Sequence, residues 1–365
     1  MKNQKDLATS IEGVEPWVGM DVGKHEFAAA LYVFPVPGNP DMQSMPAKVF
    51  ENNSEGVKKC VEWVESLLAA RRLDAPDPRV CMESTGQFSR NLAEEILDQR
   101  PSWSPAVVNA RYIKKYGESL GQRCKSDKPD ARVCAGFGAE RRPEPFVRVS
   151  RKEQELRELT RERKALVNQQ TALKNRMSNN CKSTFVTRSR KRDLKHLEKL
   201  IDNMDKEIQK TMSAIPEMAA DGKAVMQIPG VGTNVSSVAL SELGDLRVYS
   251  RGRRLSANVG INPKVVESGM HKGKTRMSKQ GNARVRHVLF LAAMACLRTR
   301  EDHSLKRCYR RLIDRGMPKK KALGVLMRKI LLLMRSLVIS GEPYDPDYDL
   351  KQAEKHKQVK AGTCA

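Results

Sequence analysis

Four carboxylates carry the chemistry that this chain's residue types allow. Asp21 follows an apolar approach, Val18 and Met20, in the run VGMDVGKHEF; Glu83 stands near the end of RVCMES; Asp127 and Asp130 lie three apart in KSDKPDA. An ionised Asp in a half-buried strand is costly unless something pairs with it, and a metal ion is one such partner. A strand-edge Asp capping a turn is the plainer alternative. Residues three apart share a helix face, so Asp127 and Asp130 can point at one spot. Pro129 suits a first helical turn, where its missing N–H is no loss. Four converging carboxylates repel unless divalent cations lie between them. Oxygen donors without sulfur or imidazole select Mg²⁺ or Mn²⁺, and two such ions about 4 Å apart clamp a scissile phosphodiester. Taken singly, Asp127 also reads as a helix N-cap and Glu83 as a surface acid.

The elements around these acids must be able to bring them together. From Trp17 to about Phe34 two apolar runs follow one another, and residues 48–52 offer a third short strand before a turn at Asn52 and Asn53, which reads as a β-meander. Ser54 caps a helix with Val57, Val61, Val64, Leu67 and Leu68 at helical spacing, ending before DAPDP. RVCMES (79–84) reads as a fourth strand, QFSRNLAEEILDQ as a second helix and PAVVNA (105–110) as a fifth strand, with further helices over 111–120 and about 127–139. The order βββαβαβα is that of a ribonuclease H/RuvC-like α/β fold, expected over 15–148. In such a sheet the first and fourth strands are neighbours, so Asp21 and Glu83 would project towards the same spot as the aspartate pair.

After Ser150 the pattern changes. Leu159, Leu166 and Leu173 recur every seven residues, and Leu194, Leu197, Ile201, Met204 and Ile208 alternate by three and four. Two heptad runs separated by the polar NNCKSTFVTRSRKR predict a helical hairpin or interrupted coiled coil over 150–215, serving dimerisation or spacing; a solvated helix pair packed on its own chain is the alternative. A mostly α-helical carboxy-terminal domain is expected over 216–340. Within it IPGVGTNVSSVALSELG (228–244) has the look of a helix-hairpin-helix, whose backbone N–H groups around Gly230 and Gly232 can hold a phosphate, although such turns also join plain helices. A loop over 261–287 and a long apolar helix from Val288 follow. The tail 341–365, rich in Pro and Asp and then in Lys, is expected to be disordered.

Charge names the class of partner. The 365 residues carry a formal net charge of +24, and it is unevenly placed: 21 basic and 21 acidic residues up to position 148, against 46 basic and 22 acidic after it. A neutral front and a strongly basic back point to a polyanion held by the second half, nucleic acid first and an anionic membrane second. With seven Tyr, eight Phe and three Trp, phosphate contact should outweigh base stacking. The eight cysteines are scattered without a C-x-x-C, so reduced thiols are expected and zinc is not. No apolar run of about 18 residues and no signal layout occurs, which predicts a soluble, unsecreted cytoplasmic protein.

GMDVGKHEF, the ESTG of 83–86, VNARYIKKYGESLGQRCKSDKPDA and the later IPGVG…NVGINP…SG…GNARVRHVL together resemble the DEDD transposases of bacterial insertion sequences, relatives of the pilin-gene invertases and a group that includes bridge-RNA-guided recombinases. The resemblance spans about residues 15–340. It implies a RuvC-like domain joined by a coiled coil to a second catalytic domain, with the family's four acids at Asp21, Glu83, Asp127 and Asp130. It also implies a nucleophilic serine at Ser268 in NPKVVESGM, with Ser278 and Ser256 as alternatives; by itself a Ser before Gly reads as a turn residue. Ser126 stands where Thr is commoner, and the spacer Lys128 and Pro129 departs from the usual pair. Lys272, Lys274, Arg276 and Lys279 follow Ser268 closely, and with Arg284 and Arg286 they could hold phosphate. His271 reads as a base or an exposed loop residue.

The implied function is an insertion-sequence transposase and site-specific recombinase, associated with the nucleoid. It would use Mg²⁺ or Mn²⁺, act on donor and target DNA with a structured guide RNA, and assemble as a dimer or tetramer. Its rivals are a metal-dependent junction-resolving nuclease in which water attacks, and a non-enzymatic basic nucleic-acid-binding protein.

Overall fold

PWVGMDV forms the first strand, β1 (Pro16–Val22), buried throughout except at the half-buried Asp21. The computed structural model describes residues 15–33, 44–70, 76–121, 126–178, 182–264, 267–268, 271–272 and 275–354, which divide into two units at 148/149. In the first unit β2 (Glu26–Val33) pairs antiparallel with β1, and β3 (Ala47–Glu51) antiparallel with β2. Parallel neighbours β4 (Arg79–Glu83) and β5 (Pro105–Val108) complete the order β3-β2-β1-β4-β5. Parallel pairing requires a crossover. Helix α1 (Ser54–Ala70) supplies the first, and α2 (Gln87–Gln99) with a 3₁₀ turn at Pro101–Trp103 supplies the second. This topology is compatible with the ribonuclease H-like fold expected from the sequence.

Period-2 alternation sorts β1 between two cores. Val18, Met20 and Val22 join Val57, Val61, Leu92 and Ile96 of α1 and α2. Trp17 faces the other way, with Ile113 and Tyr116 of α3 (Ala110–Ser119) and Val133 and Cys134 of α4 (Asp127–Arg141). Helix α4 reaches backbone contact with the sheet at Gly19, where an added Cβ would lie 2.1 Å from the Ala131 carbonyl oxygen and the Ala135 nitrogen. Glycine inside a strand marks such an approach. Gly19→Ala is therefore expected to destabilise the first unit by about 1–3 kcal/mol through overpacking and to lift α4 from the sheet. Denaturant unfolding followed by circular dichroism checks this, and an unchanged midpoint would contradict the contact.

In the second unit α5 (Arg151–Ser178) and α6 (Thr184–Ser213) form an antiparallel hairpin. Lys152 donates to the Ala214 carbonyl, Arg163 pairs with Asp205, and Arg190 donates to the Arg176 carbonyl. The polar run read as a separator is helical from Thr184 onwards, because Ser183 caps it by accepting from the Val186 N–H and its Lys and Arg residues are good helix formers. At the base of the hairpin Leu156, Ile208 and Met212 enter a large core. That core is completed by α7 (Pro216–Met226), α8 (Thr233–Leu243), α9 (Gly252–Val259), α10 (Ala283–Arg298), α11 (Ser304–Asp314) and α12 (Lys319–Ser340).

The expected loop 261–287 contains paired strands. Strand β6 (Pro263–Lys264) pairs with β9 (Arg276–Met277), and β7 (Glu267–Ser268) with β8 (His271–Lys272), the rungs of a hairpin arm. Residues 342–354, expected as part of a disordered tail, pack back on the unit instead: the Ser304 N–H donates to the Pro346 carbonyl and Arg307 pairs with Asp349. Residues 355–365 lie outside the described residues. No described helix is long and apolar enough to cross a membrane.

Candidate functional site

The face of β1 that carries Trp17 and Gly19 also carries Asp21. Helix α4 runs antiparallel to β1 across that face: Gly138 abuts the Trp17 ring, and Ala131 and Ala135 abut Gly19. The first turn of α4, with Asp127 and Asp130, therefore falls at the end of β1 where Asp21 stands. Asp127 is the first helical residue, with Ser126 at the cap position, so its carboxylate belongs to a first turn that favours negative charge. Strand β4 lies parallel to β1 with Met82 opposite Met20, which puts Glu83 one rung further on, beside Asp21. The β-strand period, one glycine and one helix start thus bring the four acids to one end of the sheet.

Electrostatics shows their proximity. Burial, and then Asp130, Asp127 and Glu83 in that order, push the Asp21 carboxyl up from 3.8 to about 6, against a lowering hydrogen bond from the Val22 N–H. The same field reaches Cys134 inside α4: burial first, then Cys81, Asp21, Glu83 and Asp130, hold its thiol well above the ordinary range. Asp21 and Asp127 line one cleft of about 290 Å³, together with Lys24, His25 and Glu26 of the β1–β2 turn. The donors are all oxygen and the charge is dense, so a divalent cation fits this set in chemistry and in sign. Among the described residues no three His, Cys, Asp or Glu side chains stand close enough together to ligate one ion as they are. The acids form a shared electrostatic field, and a tight ligand cage is not what their side chains build.

In the second unit the hairpin arm carries Ser268, paired through its backbone with His271, while Glu267 pairs with Lys272. Lys274 lies outside the described residues. The base of the arm is pinned by the Ser278 N–H to the Asn262 carbonyl and the Lys279 N–H to the Gly260 carbonyl. Beyond it Asn282 caps α10, its side-chain oxygen accepting from the Arg284 and Val285 N–H groups. Its amide also donates to Glu242, 2.9 Å away. Ser256 is fully buried in α9 and donates to the Gly252 carbonyl at 2.8 Å.

Of the candidate phosphate ligands, Arg276, Lys279 and Arg284 are exposed. Arg286 is occupied with the Val259 and Gly281 carbonyls. Gly230 is explained by packing, since a Cβ there would meet the Ala292 oxygen of α10 at 2.4 Å and its φ is +85°. Gly232, just before α8, has open space beside its Cα.

Glu242 is a residue that sequence reasoning missed. Its side chain is only 3 % exposed and accepts two bonds from Arg161, at 2.7 and 3.1 Å, with Arg284 at 3.8 Å. Burial works to raise its pKa, but Arg161, Asn282 and Arg284 outweigh it and hold the carboxyl below its usual range. The signal was present: Glu242 is the sole charged residue in the helix TNVSSVALSEL, and a lone acid in an otherwise buried helix needs a partner.

Comparison with known proteins places both units. Residues 18–186 match a family model described as a transposase, of the DEDD IS110 type, and residues 222–310 match one described as the transposase IS116/IS110/IS902 family. The chain carries the domains of the IS110/IS116/IS902 DEDD transposase family. Domains of this transposase family imply an enzyme that cuts and recombines DNA. The chain is 24 % identical to the pilin gene-inverting protein of Moraxella bovis over 331 residues, covering 90 % of this chain and 97 % of the relative, and equally so to its Moraxella lacunata counterpart. It is 27 % identical over 269 residues to the transposase for insertion sequence element IS1111A of Coxiella burnetii, covering 65 % and 72 %. The first DEDD transposase match ends inside α6 and the second begins inside α7.

Proposed function

We propose that this transposase cuts and rejoins DNA strands with two sets of residues: Asp21, Glu83, Asp127 and Asp130 as the holders of Mg²⁺ or Mn²⁺, and Ser268 as the nucleophile. The observation that carries the first half is the Asp21 carboxyl, pushed up to about 6 by burial and three neighbouring acids. Asp21, Glu83, Asp127 and Asp130 would hold the divalent ion, which when bound would supply positive charge for the developing phosphoryl charge. The Ser268 oxygen attacks phosphorus and gives up its proton; the bond from phosphorus to the leaving strand breaks, and that strand's oxygen takes up a proton. The phosphoserine link conserves the phosphodiester bond for a second strand to reclaim, so no ATP is needed. Exposed Arg276, Lys279 and Arg284 would hold the flanking phosphates.

Sequence choice would be delegated to a structured RNA, with the protein acting as a homo-oligomer. The +24 net charge supports strong backbone binding, and eighteen aromatic residues in the whole chain offer little base stacking. Purified protein, donor and target DNA, and RNA transcribed from the DNA flanking its gene should recombine only when Mg²⁺ and RNA are both present. Affinity should fall by roughly 0.9 log unit per log unit of salt for each duplex phosphate contacted. Sequence-specific recombination without RNA would defeat the guide, and metal-independent strand cutting would defeat the carboxylate site.

A further inference from the structure

Helix α11 carries Arg307, Arg310 and Arg311 at positions i, i+3 and i+4, on one face. In a half of the chain so rich in cations such a face would ordinarily stand in water. Here acids pair with it and bury Arg307, while Arg310 and Arg311 stay more than half exposed. The segment after α12 returns through Tyr344, whose hydroxyl lies 3.1 Å from the Ser304 hydroxyl and whose N–H donates to the Gln227 side chain. It turns at Asp345 and brings Asp347 and Asp349 onto α11. One nitrogen of Arg307, Nη2, donates to three acceptors from this segment: the Pro346 carbonyl at 2.7 Å, Asp347 at 3.1 Å and Asp349 at 2.6 Å. Its Nη1 donates to Asp302, which also accepts from Arg310. Arg311 reaches Asp349 at 3.4 Å.

Two properties of this contact are those of an occupied anion site. A guanidinium matches phosphate oxygens in the same forked way as carboxylates, and the segment offers Arg307 a cluster of oxygens within one small volume. The contact is also graded in strength. Arg307 and Asp349 are 18 % and 15 % exposed, whereas Arg310, Arg311, Asp302 and Asp347 are between 47 % and 62 % exposed. Exposed pairs contribute little and are screened by salt. A polyanion can displace them and compete for the inner pair. Just beyond α11 stand exposed Arg315, Lys319, Lys320 and Lys321, which would extend the same surface.

We propose that the arginine face of α11 binds nucleic-acid phosphates and that residues 344–351 occupy it as an internal competitor, displaced when a phosphodiester backbone takes their place. This rests on the nucleic-acid-binding function proposed above, and it adds a masked binding surface far in sequence from both the carboxylates and Ser268.

The test compares the full-length chain with the double variant Asp347→Asn/Asp349→Asn, binding a mixed-sequence duplex DNA and, separately, a hairpin RNA over a range of salt. The variant should bind about tenfold more tightly at low salt, with a salt slope steeper by about 0.9 for each arginine freed. Arg307→Gln/Arg311→Gln added to the variant removes the two arginines that the segment contacts and should return affinity to about the wild-type level. A gain with DNA alone assigns the face to DNA, and with RNA alone to RNA. Equal binding by folded wild type and variant would overturn the competitor while leaving the proposed function standing; binding of neither probe by either protein would overturn both. A measurement on the wild type stands independently of whether the variant folds. Adding duplex DNA or hairpin RNA should accelerate hydrogen exchange at the Ser304 and Tyr344 amides, which bond to Pro346 and Gln227, and unchanged or slower exchange there with both probes would overturn the proposal.

Discussion

Asp21→Asn is expected to abolish strand cutting while making the metal-free protein more stable at neutral pH. The two effects have one cause, negative charge concentrated where a half-buried strand meets a helix start. Removing one acid takes away part of what holds the cation, and a loss of several kcal/mol of transition-state stabilisation lowers the rate by about 10³-fold or more. The stability effect follows from linkage. The folded-state pKa of Asp21 is raised from 3.8 to about 6, so its favourable contribution is complete below about pH 4 and is lost as the pH rises through 6. Above that, the ionised carboxylate destabilises the fold by at most about 3 kcal/mol, and by about 1–2 kcal/mol once solvent screening is allowed for.

Asn carries no charge to lose. In EDTA the difference in unfolding free energy between variant and wild type should be small near pH 4, open between about pH 4 and 6, and stay level to pH 8. Adding Mg²⁺ should then stabilise the wild type and leave the variant nearly unmoved, because only a folded site binds the ion. A variant less stable than wild type at pH 8, or one that still cuts DNA, would sink the carboxylate site.

The location of this site was legible because it depends on short-range rules. Alternation in WVGMDV sets which residues share a face, and the strand order of a ribonuclease H-like sheet makes the first and fourth strands neighbours, so Asp21 and Glu83 could be pointed at one spot; the register that puts Met82 opposite Met20 is visible only in the structure. The three-residue spacing of Asp127 and Asp130 puts them on one helix face. The means by which α4 docks was not legible: Gly19 is a gap in an apolar strand until the Ala131 and Ala135 backbone is seen to fill it. In the second unit the misreadings have two origins, local signals too short or too polar to read and partners distant in sequence. Strands of two residues, such as Glu267–Ser268, are too short to show a period. Glu242 meets Arg161 across 81 residues, and Asp349 meets Arg307 across 42, so the acid-rich tail read as disordered when considered without the arginines that hold it. Helix α6 begins in a polar run because a Ser183 cap and local propensity suffice where no core is available.

Ser268→Ala is expected to preserve folding and DNA binding and to remove every covalent protein–DNA adduct. Of the three serines considered, Ser256 has no access to a phosphodiester, being fully buried and bonded to the Gly252 carbonyl. Ser278 is half-buried at the base of the arm, where its N–H is tied to Asn262. Ser268 lies on the arm's outermost described rung, opposite His271, and Arg276 stands exposed further down the same arm. A serine nucleophile must leave a phosphoserine bond that survives denaturation, so end-labelled DNA should migrate with wild-type protein on a denaturing gel, and a protease should reduce it to a peptide containing Ser268. Ser278→Ala should still form the adduct. Cleavage that persists in Ser268→Ala with no adduct in either protein would replace the serine with water as nucleophile and make this chain a junction-resolving nuclease. An adduct that moves with Ser278 would keep the chemistry and change its residue. In both of those outcomes the Asp21 prediction stands unchanged, because it rests on the charge cluster of the first unit alone.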